Sequence, residues 1–169
     1  MVKSNQPNKG ENMKRFIQFC VAMLISFLPG IFGVFFTPHG DSDLWYTGLV
    51  TSGLTPGGIW FGIAWTILYA LLGVALYLII KNARPESKKI RAYILFVVQM
   101  ILNAGWTYAF FGAHMTAFAL IILLALFIVS AWMARVFFDI DRRTVWFIVP
   151  YLLWMMFAFY MNAYIVLMN

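Results

Sequence analysis

Residues 81–90 read KNARPESKKI and stand between two long apolar runs, 58–80 and 91–111. Each run is near the ~20 residues that a helix needs to cross about 30 Å of hydrocarbon. Lys and Arg resist translocation, so a short loop rich in them stays on the cytoplasmic side. Working outward, three more apolar runs follow the same rule, at about 16–36, 116–138 and 144–168. With five spans, all 12 lysines and arginines fall on one side of a membrane. They lie in the N-terminal tail, the second loop and the fourth loop, or at the helix ends that face them. The predicted fold is an all-α integral membrane protein, a five-transmembrane-helix bundle with its N-terminus cytoplasmic and its C-terminus extracytoplasmic. Residues 1–15 form a polar tail and 16–169 the membrane domain. The expected setting is multi-pass in a bacterial cell membrane.

Composition agrees. The chain is 63% apolar and 11% charged, where a soluble domain is about half apolar and a quarter charged. The net charge of +6 is read as topology-setting cations that meet anionic headgroups, not as a nucleic-acid surface: no basic helix or aromatic RNA-binding motif is present. Cys20, alone inside the first span, reads as an inert thiol. His39 and His114 belong to outer loops and read as solvated, so no metal site is expected. No Asp, Glu, Lys or Arg lies deep in a span, which argues against ion-driven transport. The first span is longer than a signal-peptide core and no small-residue cleavage site follows, so it is read as retained. Pro29 and Gly30 predict a kink or a break within it. Residues 37–56, TPHGDSDLWYTGLVTSGLTP, hold too many large apolar groups to hang free. They should fold over the mouth of the bundle as a lid, or lie in the interface as an aromatic anchor.

What could carry function is aromatic and amide. Trp65 and Tyr69 share a face of the second helix. Asn103, Trp106 and Phe110 share one on the third. Trp154, Ala158 and Asn162 step by four along the fifth, beside Met161. Tryptophan and asparagine in mid-membrane need hydrogen-bond partners. One reading is interhelical glue, with Asn103 and Asn162 bonding across helices. The other is a pocket for a flat apolar ligand, gripped by rings and oriented by a few polar groups. Gly105, Ala109 and Ala113 form a small-residue stripe on another face of the third helix, suited to close helix approach and to dimerisation.

These residues resemble the TspO/MBR family, the tryptophan-rich sensory proteins that include the mitochondrial translocator or peripheral-type benzodiazepine receptor. The carriers are Trp45-Tyr46 with Leu49; Thr55-Pro56 before Trp60-Phe61, Trp65 and Leu68-Tyr69; Leu102-Asn103 with Trp106 and Phe110-Phe111; and Pro150-Tyr151, Trp154, Phe157-Ala158 and Asn162. The resemblance covers about residue 29 to the end. It implies a five-helix homodimer with a ligand cavity under the first loop. The implied ligands are porphyrins such as protoporphyrin IX and isoquinoline carboxamide or benzodiazepine-type drugs, with no required cofactor. The expected function is a receptor or carrier in tetrapyrrole homeostasis or stress signalling. The alternative is an enzyme degrading protoporphyrin in light, with Trp65 and Trp154 as its candidate catalytic residues; an exporter or channel is a third reading. The implied pocket comprises Trp45, Tyr46, Trp65, Tyr69, Asn103, Trp106, Phe110, Trp154, Ala158, Met161 and Asn162. Two departures stand out. The family's first loop commonly reads K-P-x-W-x-P-P, while residues 51–57 are TSGLTPG. No basic residue follows Tyr160 or Tyr164, so the cholesterol-recognition pattern is incomplete.

Overall fold

A computed structural model describes residues 9–37, 43–82 and 84–169, and among these there is no β-strand. The long helices are α1 (Lys9–Val34), α3 (Gly58–Lys81), α4 (Glu86–Thr107), α5 (Thr116–Ile140) and α6 (Val145–Met168), with a five-residue α2 (Leu44–Gly48) in the first loop. Five helical stretches are long and apolar enough to cross a membrane. Large apolar side chains cover the outside of the bundle, among them Leu24, Ile67, Ile101, Ile121 and Leu153. That surface suits lipid, which rewards exposed leucine as water does not.

The helices close into a ring in the order α1, α3, α6, α5, α4 and back to α1. Consecutive helices α3 and α4 are therefore not packed neighbours along the wall; they face each other across the interior. Glycine makes the α1–α3 contact possible. A Cβ on Gly30 would stand 2.6 Å from the Tyr69 ring, and one on Gly73 would overlap Met23 and Ser26.

Three local expectations change. The stretch 9–15, read as polar tail, is the first part of α1; Glu11 in its first turn suits the positive end of the helix dipole. The helix also continues through Pro29 without a break. Third, α4 ends in a wide π turn, Tyr108–Gly112, where Ala113 N–H donates to Tyr108 O at 2.8 Å and Met115 N–H to Ala109 O at 2.8 Å. The small-residue stripe passes into this turn and is not one free face. Ala109 is only 3% exposed within the single chain, Ala113 is half-buried, and a Cβ on Gly105 would meet nothing. Counting by four assumes a regular α-helix, and that count stops at Tyr108.

The two ends of the bundle differ. At the basic end, Lys89 is buried at 2% exposure. Its ammonium donates to the carbonyls of Ile80 (3.3 Å) and Asn82 (3.2 Å) and pairs with Glu86 at 2.6 Å. It thus satisfies the open C-terminus of α3, where a cation is favoured. Asp141 begins the next basic-end turn. The hydrogen-bonded Arg143 guanidinium holds its carboxyl below the usual carboxylate range. At the other end, the first loop folds back over the bundle. Asp43 caps α2 by accepting from the N–H groups of Trp45 (3.0 Å) and Tyr46 (3.1 Å). Asn169 ties the loop to the C-terminus, its side chain accepting from Val50 N–H at 2.9 Å and donating to Val50 O at 3.2 Å.

Candidate functional site

The lid sits on the π turn. Trp45 meets Phe110 edge-on at 5.9 Å and stacks flat on His114, with centroids 3.8 Å apart and planes 7° from parallel. His114 holds a left-handed backbone, φ 58°, and is ring-stacked rather than simply solvated; His39 lies outside the described residues. Tyr46 leans on Phe111 at 5.7 Å. Burial at the lid raises the Tyr46 phenol above its ordinary value.

Beneath the lid lies a cavity of about 600 Å³, in the range that holds a drug-sized ligand. Its walls include Tyr46, Leu49, Phe61, Trp106, Phe110, Phe111, Ala158, Met161, Asn162 and Ile165, with Thr51, Thr55 and Pro56 from the loop. Among the described residues no charged side chain lines it. Asn162 is held firmly: its carbonyl accepts from the Trp106 indole at 3.2 Å, and its amide donates to Thr116 O at 2.9 Å. The Thr55 hydroxyl is buried without a partner among the described residues.

Six of the sequence-expected residues meet here: Tyr46, Trp106, Phe110, Ala158, Met161 and Asn162. The others are placed around them. Trp45 closes the lid. Trp65 and Tyr69 lie behind Trp106, with Trp65 5.9 Å from Trp106 and 5.5 Å from Tyr69. They line a second cavity, of about 420 Å³, between α1 and α3. Trp154 lines neither cavity and packs on Phe61 at 5.9 Å and on Trp65 at 6.5 Å. Its indole N–H and that of Trp65 have no partner among the described residues. Steps of four drift by about 40° each on a helix, so Trp154 falls about 80° from Asn162. Tyr151 and Met155 take the central position, with no exposed surface.

Asn103 is wholly interior. Tyr69 O–H donates to its carbonyl at 2.7 Å, its amide donates to Tyr151 at 3.1 Å, and Tyr151 O–H donates to Gln99 at 3.0 Å. This chain joins α3, α4 and α6, and it is glue.

Several wall residues were not expected as site residues: Phe61, Phe111, Thr55, Leu49 and Ile165. Leu49, Thr55, Phe61 and Phe111 stand inside quoted motifs. Ile165 continues the spacing of Ala158 and Asn162 by three and four. Among the described residues no cluster of three or more His, Cys, Asp or Glu could hold a metal.

Known proteins resemble this chain over most of its length. The TspO/MBR family profile matches residues 21–168. The tryptophan-rich protein TspO of Chlorobaculum tepidum is 32% identical, over 90% of this chain and 95% of the relative. That of Archaeoglobus fulgidus is 33% identical, over 88% and 95%. The human translocator protein is 29% identical, over 73% and 74%. With its five spans and lidded cavity, the chain is a multi-pass membrane protein that belongs to the TspO/MBR family.

Proposed function

We propose that this chain is a membrane receptor or carrier that binds porphyrins such as protoporphyrin IX, and related flat drugs of the isoquinoline carboxamide or benzodiazepine type, in the cavity beneath the lid. The carrying observation is a cavity of about 600 Å³, with no charged side chain among the described residues that line it, walled by Trp106, Phe110 and Phe111 and carrying one fixed amide, Asn162. Ring faces suit a macrocycle, each aromatic pair adding about 0.5–1.5 kcal/mol beyond area. The carboxylate edges have no cation to meet inside, so they point to the loop side and water. Such a protein serves tetrapyrrole homeostasis or stress signalling in a bacterial cell membrane.

A second reading has its own support. Trp154, Trp65 and Trp106 form a line of indoles with centroids 6.5 and 5.9 Å apart, ending at the cavity wall. In this reading light-excited porphyrin gives an electron to molecular oxygen, leaving a porphyrin radical cation and superoxide that combine to an oxidised product, with Trp65 and Trp154 as the redox partners along that line. Dark titration of purified protein with protoporphyrin should saturate, and Trp106→Ala should weaken it by about tenfold, or 1.4 kcal/mol. Unchanged binding in folded Trp106→Ala and Phe110→Ala would reject the cavity. A saturable product under light, lost in Trp65→Phe and Trp154→Phe, would favour the enzyme.

Two further parts of the reading concern assembly and orientation. Pairing of two copies would use the outward face of α4, where Ile94, Val98 and Ile101 are exposed and Gly105 is open. Gly105→Leu should then shift the protein toward monomer in mild detergent, and an unmoved dimer would place the contact elsewhere. The cation-rich end faces the cytoplasm, so a reporter after Asn169 should read extracytoplasmic; a cytoplasmic signal would reverse the bundle.

A further inference from the structure

The second cavity has a different chemistry from the first. It is a groove of about 420 Å³ between α1 and α3, closed at its back by Trp65, Tyr69 and Trp106. Its rim residues Ile31, Val34, Gly62 and Thr66 are exposed, so it opens on the outer face of the bundle. Neighbouring Phe32, Ile63 and Ile67 are large, apolar and exposed. A mouth rimmed this way on two membrane-spanning helices suits hydrocarbon.

The wall holds four hydroxyls, and each is spent inside the protein. Thr37 donates to Gly33 O at 2.8 Å, Thr66 to Gly62 O at 2.8 Å, Tyr69 to Asn103 at 2.7 Å and Thr107 to Asn103 O at 3.2 Å. Among the described residues no charged side chain lines the groove. Beyond those hydroxyls the wall offers one open donor, the Trp65 indole N–H, so a headgroup or a porphyrin carboxylate would lose its hydration there for one hydrogen bond at best. A saturated chain would lose nothing and would gain dispersion contacts with the ring wall.

We propose that the α1–α3 groove is a binding site for a single lipid acyl chain, distinct from the cavity beneath the lid. The two sites share the wall of Phe61, Trp106 and Phe111. A chain in the groove therefore lies against the back of the rings that face the cavity.

The test uses the full chain in phosphatidylcholine vesicles doped with phosphatidylcholine bearing a photoactivatable diazirine on one acyl chain. After illumination, adducts are mapped by mass spectrometry. Enrichment on Trp65, Thr66 and Thr107 over the outward residues Ile121, Ile128 and Trp132 is expected. Gly62→Leu should reduce the groove adducts several-fold and leave the outward ones unchanged. A Cβ at Gly62 meets nothing within 4 Å, so this variant should fold; Thr66→Trp fills the groove from the next turn as an independent check. Equal labelling of groove and outward residues, or groove adducts that survive both variants in folded protein, would overturn the proposal and leave only annular lipid.

Discussion

Asn103 and Asn162 look alike in the sequence and do opposite things. Each sits in a transmembrane helix on a face that also carries tryptophan, and each is almost fully buried, at 1% and 2% exposure. Asn103 is bonded through side chains to Tyr69 on one side and Tyr151 on the other, and it faces no cavity. Asn162 bonds Trp106 and a backbone carbonyl, and it lines the cavity beneath the lid. The glue reading thus describes Asn103, while Asn162 stands on a cavity wall and is the asparagine to which the proposed ligand pocket belongs. Depth decides between them. The interior at Asn103 is closed by packed rings, whereas the wide turn and the lid leave space beside Asn162.

The comparison can be broken first at Asn103. Asn103→Ala strands Tyr69 and leaves Tyr151 with Gln99 alone. A buried group left unpaired costs about 1–3 kcal/mol, more than a typical single interhelical bond in a membrane. Denaturation in detergent should show that loss, while the porphyrin affinity of the folded fraction stays within about twofold of wild type, under 0.5 kcal/mol. A variant of native stability that no longer binds porphyrin would exchange the roles of the two asparagines.

Asn162→Ala is the converse. It frees the Trp106 indole and removes the fixed amide from the wall. Porphyrin affinity should fall by about five- to tenfold, the factor for roughly 1–1.4 kcal/mol, with a smaller stability loss than Asn103→Ala. Dark titration beside a melting curve separates the two effects. If stability alone falls, Asn162 is also only glue.

The smallest effect sharpens the contrast. Thr55 has a hydroxyl on the cavity wall with no partner among the described residues. Thr55→Val therefore breaks no protein hydrogen bond and should leave the melting curve unmoved. A polar ligand group that uses this hydroxyl would lose about 0.5 kcal/mol, near twofold in affinity. A clear loss of stability would mean that the hydroxyl has a structural partner after all.

Particular helices show how far the pattern could be read. The inward face of α6, with Tyr151, Met155, Ala158, Asn162 and Ile165 buried, follows spacings of three and four, so it is visible once the period is known. Trp154 was misplaced on that face because steps of four drift around a helix. Ala109 was misplaced because a π turn interrupts the count. The start of α1 at Lys9 was hidden because hydropathy marks where a helix enters lipid, and a helix can begin in polar surroundings.

The sequence alone determined that this chain crosses a membrane five times, that its cations gather at one end, and which residues could line a pocket. Each follows from local chemistry: the length of an apolar run, the cost of moving a charge through lipid, and the angle between neighbours on one helix. Only the tertiary structure decided the ring order of the helices, the separation of two cavities by Phe61, Trp106 and Phe111, and which asparagine faces open space. Those depend on how different helices meet, and a one-dimensional pattern records a helix's faces without saying what stands opposite them.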